Sequence, residues 1–381
     1  MMVSSLYDRY LLKNLFAGLL ITACVLTAII FLTQSLKFLE LIIESGASSA
    51  TFWLLAVLAL PRFFEVILPI ALMITVIFIY NRMNSDSELV VFRSIGKSPM
   101  TLARPALILG LITTFLLLFI SMWLSPKTLA SMNKMRGLVK DQYTTLIFRE
   151  GVFNTFGDDI TVFIQNKNSA GEMEGLLIHD SRPENEVPNT VMAKRGVIVK
   201  TDDGQRVLVY NGSKQDINPK TGALNRLDFD RYTIDLPNNE STRAFYKDAD
   251  ERTFWELLHP DLTKREDINR QKQFEVEAHR RVIGPFLALS FAAISLCFLI
   301  LGATNRRGGS GRIFFAVLSV ILLQSLYLAL FNYALVSNIG LALLYCVVFL
   351  PLSFCLFMLS RAGESLRISL FSLLNRWGLD E

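Results

Sequence analysis

The sequence predicts an α-helical integral membrane protein with six transmembrane helices and an external antiparallel β domain of jelly-roll-like type. Three observations carry this. Hydrophobic residues make up 52% of the 381-residue chain and are gathered in long charge-free runs rather than spread evenly. Those runs divide three and three around a long polar region. Within that region, short alternating segments recur between turn signals, the pattern of antiparallel strands.

The first span is Leu15–Thr33, inside a charge-free stretch from Asn14 to Leu36. That stretch exceeds the apolar core of a signal peptide, and no small-residue cleavage site follows directly, so it reads as an uncleaved helix. The second span, Phe52–Tyr80, is interrupted by Arg62 and Glu65 and carries Pro61 and Pro69. The third lies in Pro105–Ser125 and the fourth in Val282–Thr304. No charge occurs from Ile313 to Ser360, enough for two more spans separated by a turn at Ser337–Gly340. The expected organisation is therefore spans one to three in 1–125, with a short cytoplasmic helix at 85–96. A β domain fills 126–252 and a connecting helix 253–281; spans four to six and a tail fill 282–381. Residues Arg265–Arg281 read as a charged helix running straight into span four.

Basic residues orient the bundle. Arg9 and Lys13 precede span one; Arg82, Arg93, Lys97 and Arg104 lie between spans two and three. Arg306, Arg307 and Arg312 lie between spans four and five, and Arg361, Arg367 and Arg376 follow span six. The opposite side has only Lys37 and Arg62 near its short loops. Both termini are thus expected in the cytoplasm and the polar region outside. That region balances its charges, and its strand-like segments are TVFIQN, GLLIHD, NTVMAKRGVIVK, QRVLVYNGSKQDI and LDFDRYTIDL. Turn signals at 156–159, 201–204 and 218–222 separate them.

Catalytic chemistry is not signalled. Cys24, Cys297, Cys346 and Cys355 all sit in apolar runs, and His179, His259 and His279 lack metal-ligand spacing. Neither a metal nor a cofactor is expected, and a net charge of +4 does not suggest nucleic acid. The Gly96-Lys97-Ser98 triplet looks like the end of a phosphate-binding loop, but the glycine required upstream is Val91, and an apolar span precedes it instead of a buried strand.

The same stretch, SDSELVVFRSIGKS, has a local reading. Ser85 with Glu88 forms a capping-box pattern; Leu89–Ile95 makes two helical turns; Gly96 stops them. Ser98 then caps a second helix with Pro99 at its first position. So apolar a short helix between spans suits a docking element for a cytoplasmic partner, the plain alternative being a connector. Charge within the bilayer is the second signal. Lys37, Arg62 and Glu65 are either an ion pair with a snorkelling lysine, or a basic rim that meets lipid phosphates.

The chain resembles the LptF/LptG permeases of lipopolysaccharide export. SELVVFRSIGKS (Ser87–Ser98), LPRFFEVILPIAL (Leu60–Leu72), DRYLLK (Asp8–Lys13) and the three-plus-three span pattern carry the resemblance over nearly the whole chain. It implies an ABC transporter of two homologous six-span permeases that works with a cytoplasmic LptB-type ATPase dimer. Lipopolysaccharide passes from the inner membrane to a single-span periplasmic bridge of LptC type through jelly-roll domains. It places Glu88, Leu89, Phe92 and Arg93 at the ATPase, and Lys37 and Arg62 at lipid phosphates. The basic pair is similar to the G-type subunit and the TFWELL segment to the F-type, with a lean to F. The rival reading is a membrane mechanotransmitter that couples an ATPase to a periplasmic partner without moving lipid. Such proteins usually place their external domain after span one of four.

Overall fold

The computed structural model describes residues 6–45, 48–144, 150–156, 160–168, 172–181, 188–201, 204–217, 222–235, 246–261, 263, 265–302 and 310–367. It contains two compact units. The loop arginines Arg306 and Arg307, the tail residue Arg376 and most of the three turn signals lie outside the described residues.

The first unit is helical. Its long helices are α1 (Leu6–Ser45) and α2 (Ser49–Ser85), except for their residues between 40 and 52, with α4 (Pro99–Phe119), α10 (Ser310–Ala334) and α11 (Asn338–Leu359); between α2 and α4 lies the short α3 (Glu88–Ser94). A π-helical turn at Ile120–Leu124 joins α4 to α5 (Ser125–Thr144), and candidate span three runs on to Gly137. Among the described residues, five helices are long and apolar enough to cross a bilayer. Helices α8 (Gln271–Ile283) and α9 (Phe286–Leu301) meet the same test together across a 43° bend, and make a sixth when counted as one span.

Side chains from facing helices interleave to form the core. Ile67, Leu72, Val76 and Tyr80 of α2 join Leu102, Leu109 and Leu117 of α4 and Ala288, Ala292 and Leu296 of α9. Small residues let backbones approach: a methyl added to Gly110 would lie 3.0 Å from Leu289. Pro61 and Pro69 are both accommodated within the continuous α2.

The connector departs from the sequence expectation. Residues 265–283 are not one helix running into the span. A short α6 (Phe254–Leu258) and α7 (Arg265–Asn269) precede α8, and the chain breaks again at Gly284–Pro285. Proline has no N–H to extend the hydrogen-bond ladder and its ring crowds the preceding turn, so the bend falls there.

The second unit contains six antiparallel strands: β1 (Phe153–Phe156), β2 (Ile160–Lys167), β3 (Met173–Asp180), β4 (Asn189–Thr201), β5 (Gly204–Ile217) and β6 (Leu224–Asp235). The described strands form one sheet in sequence order, each paired with its neighbour. Alternate residues such as Ile160, Val162, Ile164, Ile178, Val191, Val207 and Val209 build one apolar face.

Pairing is interrupted along one line across this sheet. The register skips Gln165, Gly175, Lys194, Asn211 and Asp230, which stand opposite one another. Gly175 and Asn211 both have positive φ, 65° and 52°. Inward-facing positions change parity there, from Met173 to Leu176 on β3 and from Ala193 to Gly196 on β4. A methyl on Gly175 would lie 2.4 Å from the Gln165 side chain. Gly175→Ala is therefore expected to cost about 1–2 kcal/mol, the left-handed penalty for a side chain. Hydrogen exchange of β2–β4 amides in the full chain should accelerate about tenfold if those amides exchange through opening of the sheet.

Candidate functional site

Two clusters in the helical unit bring together the residues that the sequence singled out, apart from Lys37. The first is α3 and its seat. The Ser85 capping box does not form. Helix α2 continues to Ser85, whose hydroxyl donates back to the Asn81 carbonyl at 3.1 Å. Ser87 instead precedes α3, in a left-handed conformation with φ 61°. The other end follows the sequence reading. Gly96 has φ +82°, its N–H donates to Arg93 O at 2.9 Å, and Lys97 N–H donates to Phe92 O at 3.2 Å, a Schellman closure. Ser98 then caps α4, accepting from Thr101 N–H.

Helix α3 is amphipathic within two turns. Leu89 is fully buried and Phe92 packs edge-on to Tyr7 of α1, ring centroids 4.5 Å apart. Lys97 sits over both rings, 4.4 Å from Tyr7 and 5.2 Å from Phe92. Arg93 donates to Ile300 O, one of the terminal carbonyls of α9 that no helical N–H can reach. Leu89, expected at the partner contact, is thus turned inward, because the i, i+3 pair Leu89–Phe92 packs against the bundle. Val91 and Ile95 remain 59% and 64% exposed. With Glu88 they follow one stripe at i, i+3 and i+7. The sequence signal for Val91 and Ile95 was there in the apolar run; only the side of α3 facing the bundle was missing.

The second cluster is an ionic network beside the Gly284–Pro285 break. Arg62 lies 3.4 Å from Glu65 and 3.0 Å from Asp250. Glu65 also lies 3.8 Å from Arg280. Glu277 accepts from Arg280 at 2.6 Å and from Arg281 at 3.0 Å. Arg281 further donates to the carbonyls of Ala249 (2.9 Å), Asp250 (3.1 Å) and Arg252. Next to this network is a cavity of about 170 Å³, lined by Arg62, Glu65, Ser121, Arg280, Gln324 and Tyr327. Ser121 belongs to the π-helical turn and donates to Arg281 O at 3.3 Å. Polar groups here gather where the backbone is irregular, which leaves carbonyls to be met by side chains. Lys37 is exposed on α1. Arg62 and Lys37 are thus in different settings, one held by carboxylates and one open.

The connector holds its own capping box, which the sequence reading did not pick out. Thr253 Oγ1 accepts from Glu256 N–H, and Glu256 accepts from Thr253 N–H at 2.7 Å and from Lys247 at 2.9 Å. Partial burial opposes ionisation of Glu256, but the Lys247 and Thr253 hydrogen bonds outweigh it and hold its carboxyl below the ordinary value of 4.5. A depressed folded-state pKa adds stability above the unfolded value, and that stability goes as pH falls through it. The connector should therefore loosen below about pH 4.5, and the acid sensitivity should shrink in Glu256→Gln. Amide exchange of residues 253–258 measured against pH checks this.

Residues 9–362 match the family described as "Lipopolysaccharide export system permease LptF/LptG". Uncharacterized protein RP871 of Rickettsia prowazekii (strain Madrid E) is 29% identical over 335 residues, 86% of this chain and 91% of that protein. Lipopolysaccharide export system permease protein LptF of Escherichia coli (strain K12) is 21% identical over 204 residues, 53% of this chain and 56% of that protein. The match thus spans about half the length of LptF. With a family match that takes in α1 to α11, the apolar spans and the β unit between them, the chain belongs to the lipopolysaccharide export system permease LptF/LptG family.

Proposed function

We propose that this chain is one permease subunit of an inner-membrane ABC transporter. It draws lipopolysaccharide from the membrane and passes it to a periplasmic bridge, with energy from a separate ATPase. The observation that carries this reading is the seat of α3. The helix is fixed to α1 through Tyr7 and to α9 through Ile300, yet leaves Glu88, Val91 and Ile95 for a partner. A push on α3 reaches two spans at once, so closure of an ATPase dimer would move them without any catalytic group in this chain. In this reading α3 and both termini are cytoplasmic and the β unit is periplasmic. A second, homologous permease completes the lipid cavity, and a single-span bridge protein takes the lipid onward.

Lys37 is the open basic group for a lipid phosphate. Arg62 serves the same end by exchanging its carboxylate partners for phosphate. Purification of the tagged chain in mild detergent should bring down an ATPase and a second six-span protein, and vesicles holding the complex should release lipopolysaccharide on ATP addition. Recovery of an ATPase without lipid movement would favour the mechanotransmitter instead. Lys37→Ala should lower lipopolysaccharide crosslinking about fivefold, from about 1 kcal/mol per basic residue at an anionic lipid surface. Unchanged crosslinking removes Lys37 from the lipid path.

A further inference from the structure

A second groove, separate from the ionic cavity, opens where α6, α7 and α8 meet α11. Its volume is about 720 Å³, in the range of small-molecule sites. Its lining is graded rather than uniformly apolar. Lys272 and Glu275 flank Phe274 at one end, and Ala278 and Val282 follow along α8 toward the other. The grade matches depth along the span. Lys272 donates to Asn338, the first residue of α11. His279 bonds Tyr345 Oη through Nδ1 at 2.9 Å, and Tyr345 is seven residues into α11, about 10 Å down its axis. The charged end therefore stands at the mouth of span six and the apolar end in the hydrocarbon zone. Trp255 is 72% exposed on α6, with Leu258 and Ile268 also exposed near the rim, the disposition of aromatic and apolar anchors at a membrane interface.

We propose that this groove is a binding site for one aminophospholipid of the leaflet on the connector side. Its phosphate meets Lys272, its ammonium meets Glu275, and an acyl chain lies along Phe274, Ala278 and Val282. Charge complementarity selects the headgroup. Lys272 and Glu275, 3.6 Å apart and one turn separated on α8, present a positive and a negative group side by side, matching phosphate and amine on one zwitterion. Glu275 repels a headgroup with net negative charge. A choline headgroup has no N–H to donate to it. A lipid held here would rest against both the connector and span six, and would brace the bent α8–α9 crossing.

The test uses the full chain in its purified complex, passed through nanodiscs of phosphatidylethanolamine, phosphatidylcholine and phosphatidylglycerol in equal parts. After return to detergent, retained lipid is counted by native mass spectrometry. Phosphatidylethanolamine should be retained in preference to the other two. Lys272→Ala with Glu275→Ala should reduce that retention about fivefold or more. Leu258→Glu, an exposed position that puts charge on the groove's apolar lip, should do the same without touching the headgroup contacts. Equal retention of the three lipids, or unchanged retention in both variants, overturns the proposal. So does photocrosslinking from Ile268 that captures a partner's transmembrane segment in place of lipid.

Discussion

Aspartate at both Val91 and Ile95 is expected to abolish assembly with the ATPase while leaving the chain folded. Both side chains are more than half exposed, so the bundle loses nothing when they change. At an interface, each new carboxylate would be buried without a partner, at several kcal/mol. A loss of about 2.7 kcal/mol already weakens binding about a hundredfold. Co-purification of the ATPase reads the result, with the thermal unfolding midpoint of the isolated permease as the control. Leu89→Ala should behave in the opposite way. It opens a hole in the core beneath α3 at about 2–5 kcal/mol, so the unfolding midpoint falls. If the double aspartate variant still holds the ATPase, the partner does not grip this stripe.

Glu277→Ala should be among the most destabilising single changes in the helical unit. Arg281 is only 2% exposed, and Glu277 is the carboxylate its guanidinium reaches at 3.0 Å. Removing that carboxylate leaves a buried charge with carbonyls alone, a loss of about 3–5 kcal/mol. Arg280 loses its 2.6 Å partner and keeps the longer approach to Glu65. Glu277→Gln should fall between, since it retains hydrogen-bonding atoms but not charge. Thermal unfolding in one detergent, with all variants side by side, measures the order. Equal midpoints for wild type and Glu277→Ala would show that the network does not bear on stability.

Arg62 illustrates how far sequence reaches. Its position inside an apolar span marked it at once, and Glu65 three residues on offered an obvious pair. Asp250 and Arg280 could not be foreseen, because nothing in their local sequence links them to span two. They arrive through the packing of the connector against α2. The same holds for α3. Spacing alone gave its glycine stop and the Ser98 cap, both set by hydrogen bonds within a few residues. Spacing misplaced its start, since the end of α2 competed for Ser85 and won. In the β unit, alternation located strands but not the line through Gly175 and Asn211. A change of facing there depends on backbone conformation in neighbouring strands at once.

By itself, then, the sequence determined the spans, the strand content and the family resemblance. Long apolar runs must leave water whatever they pack against, and alternation and turn residues act over short distances. The tertiary structure alone decided which side of α3 is free, which carboxylates hold Arg62 and Arg281, and where the fourth crossing bends. Each of those is settled by groups far apart in the chain that meet only when helices pack, and burial then fixes which charges must be paired.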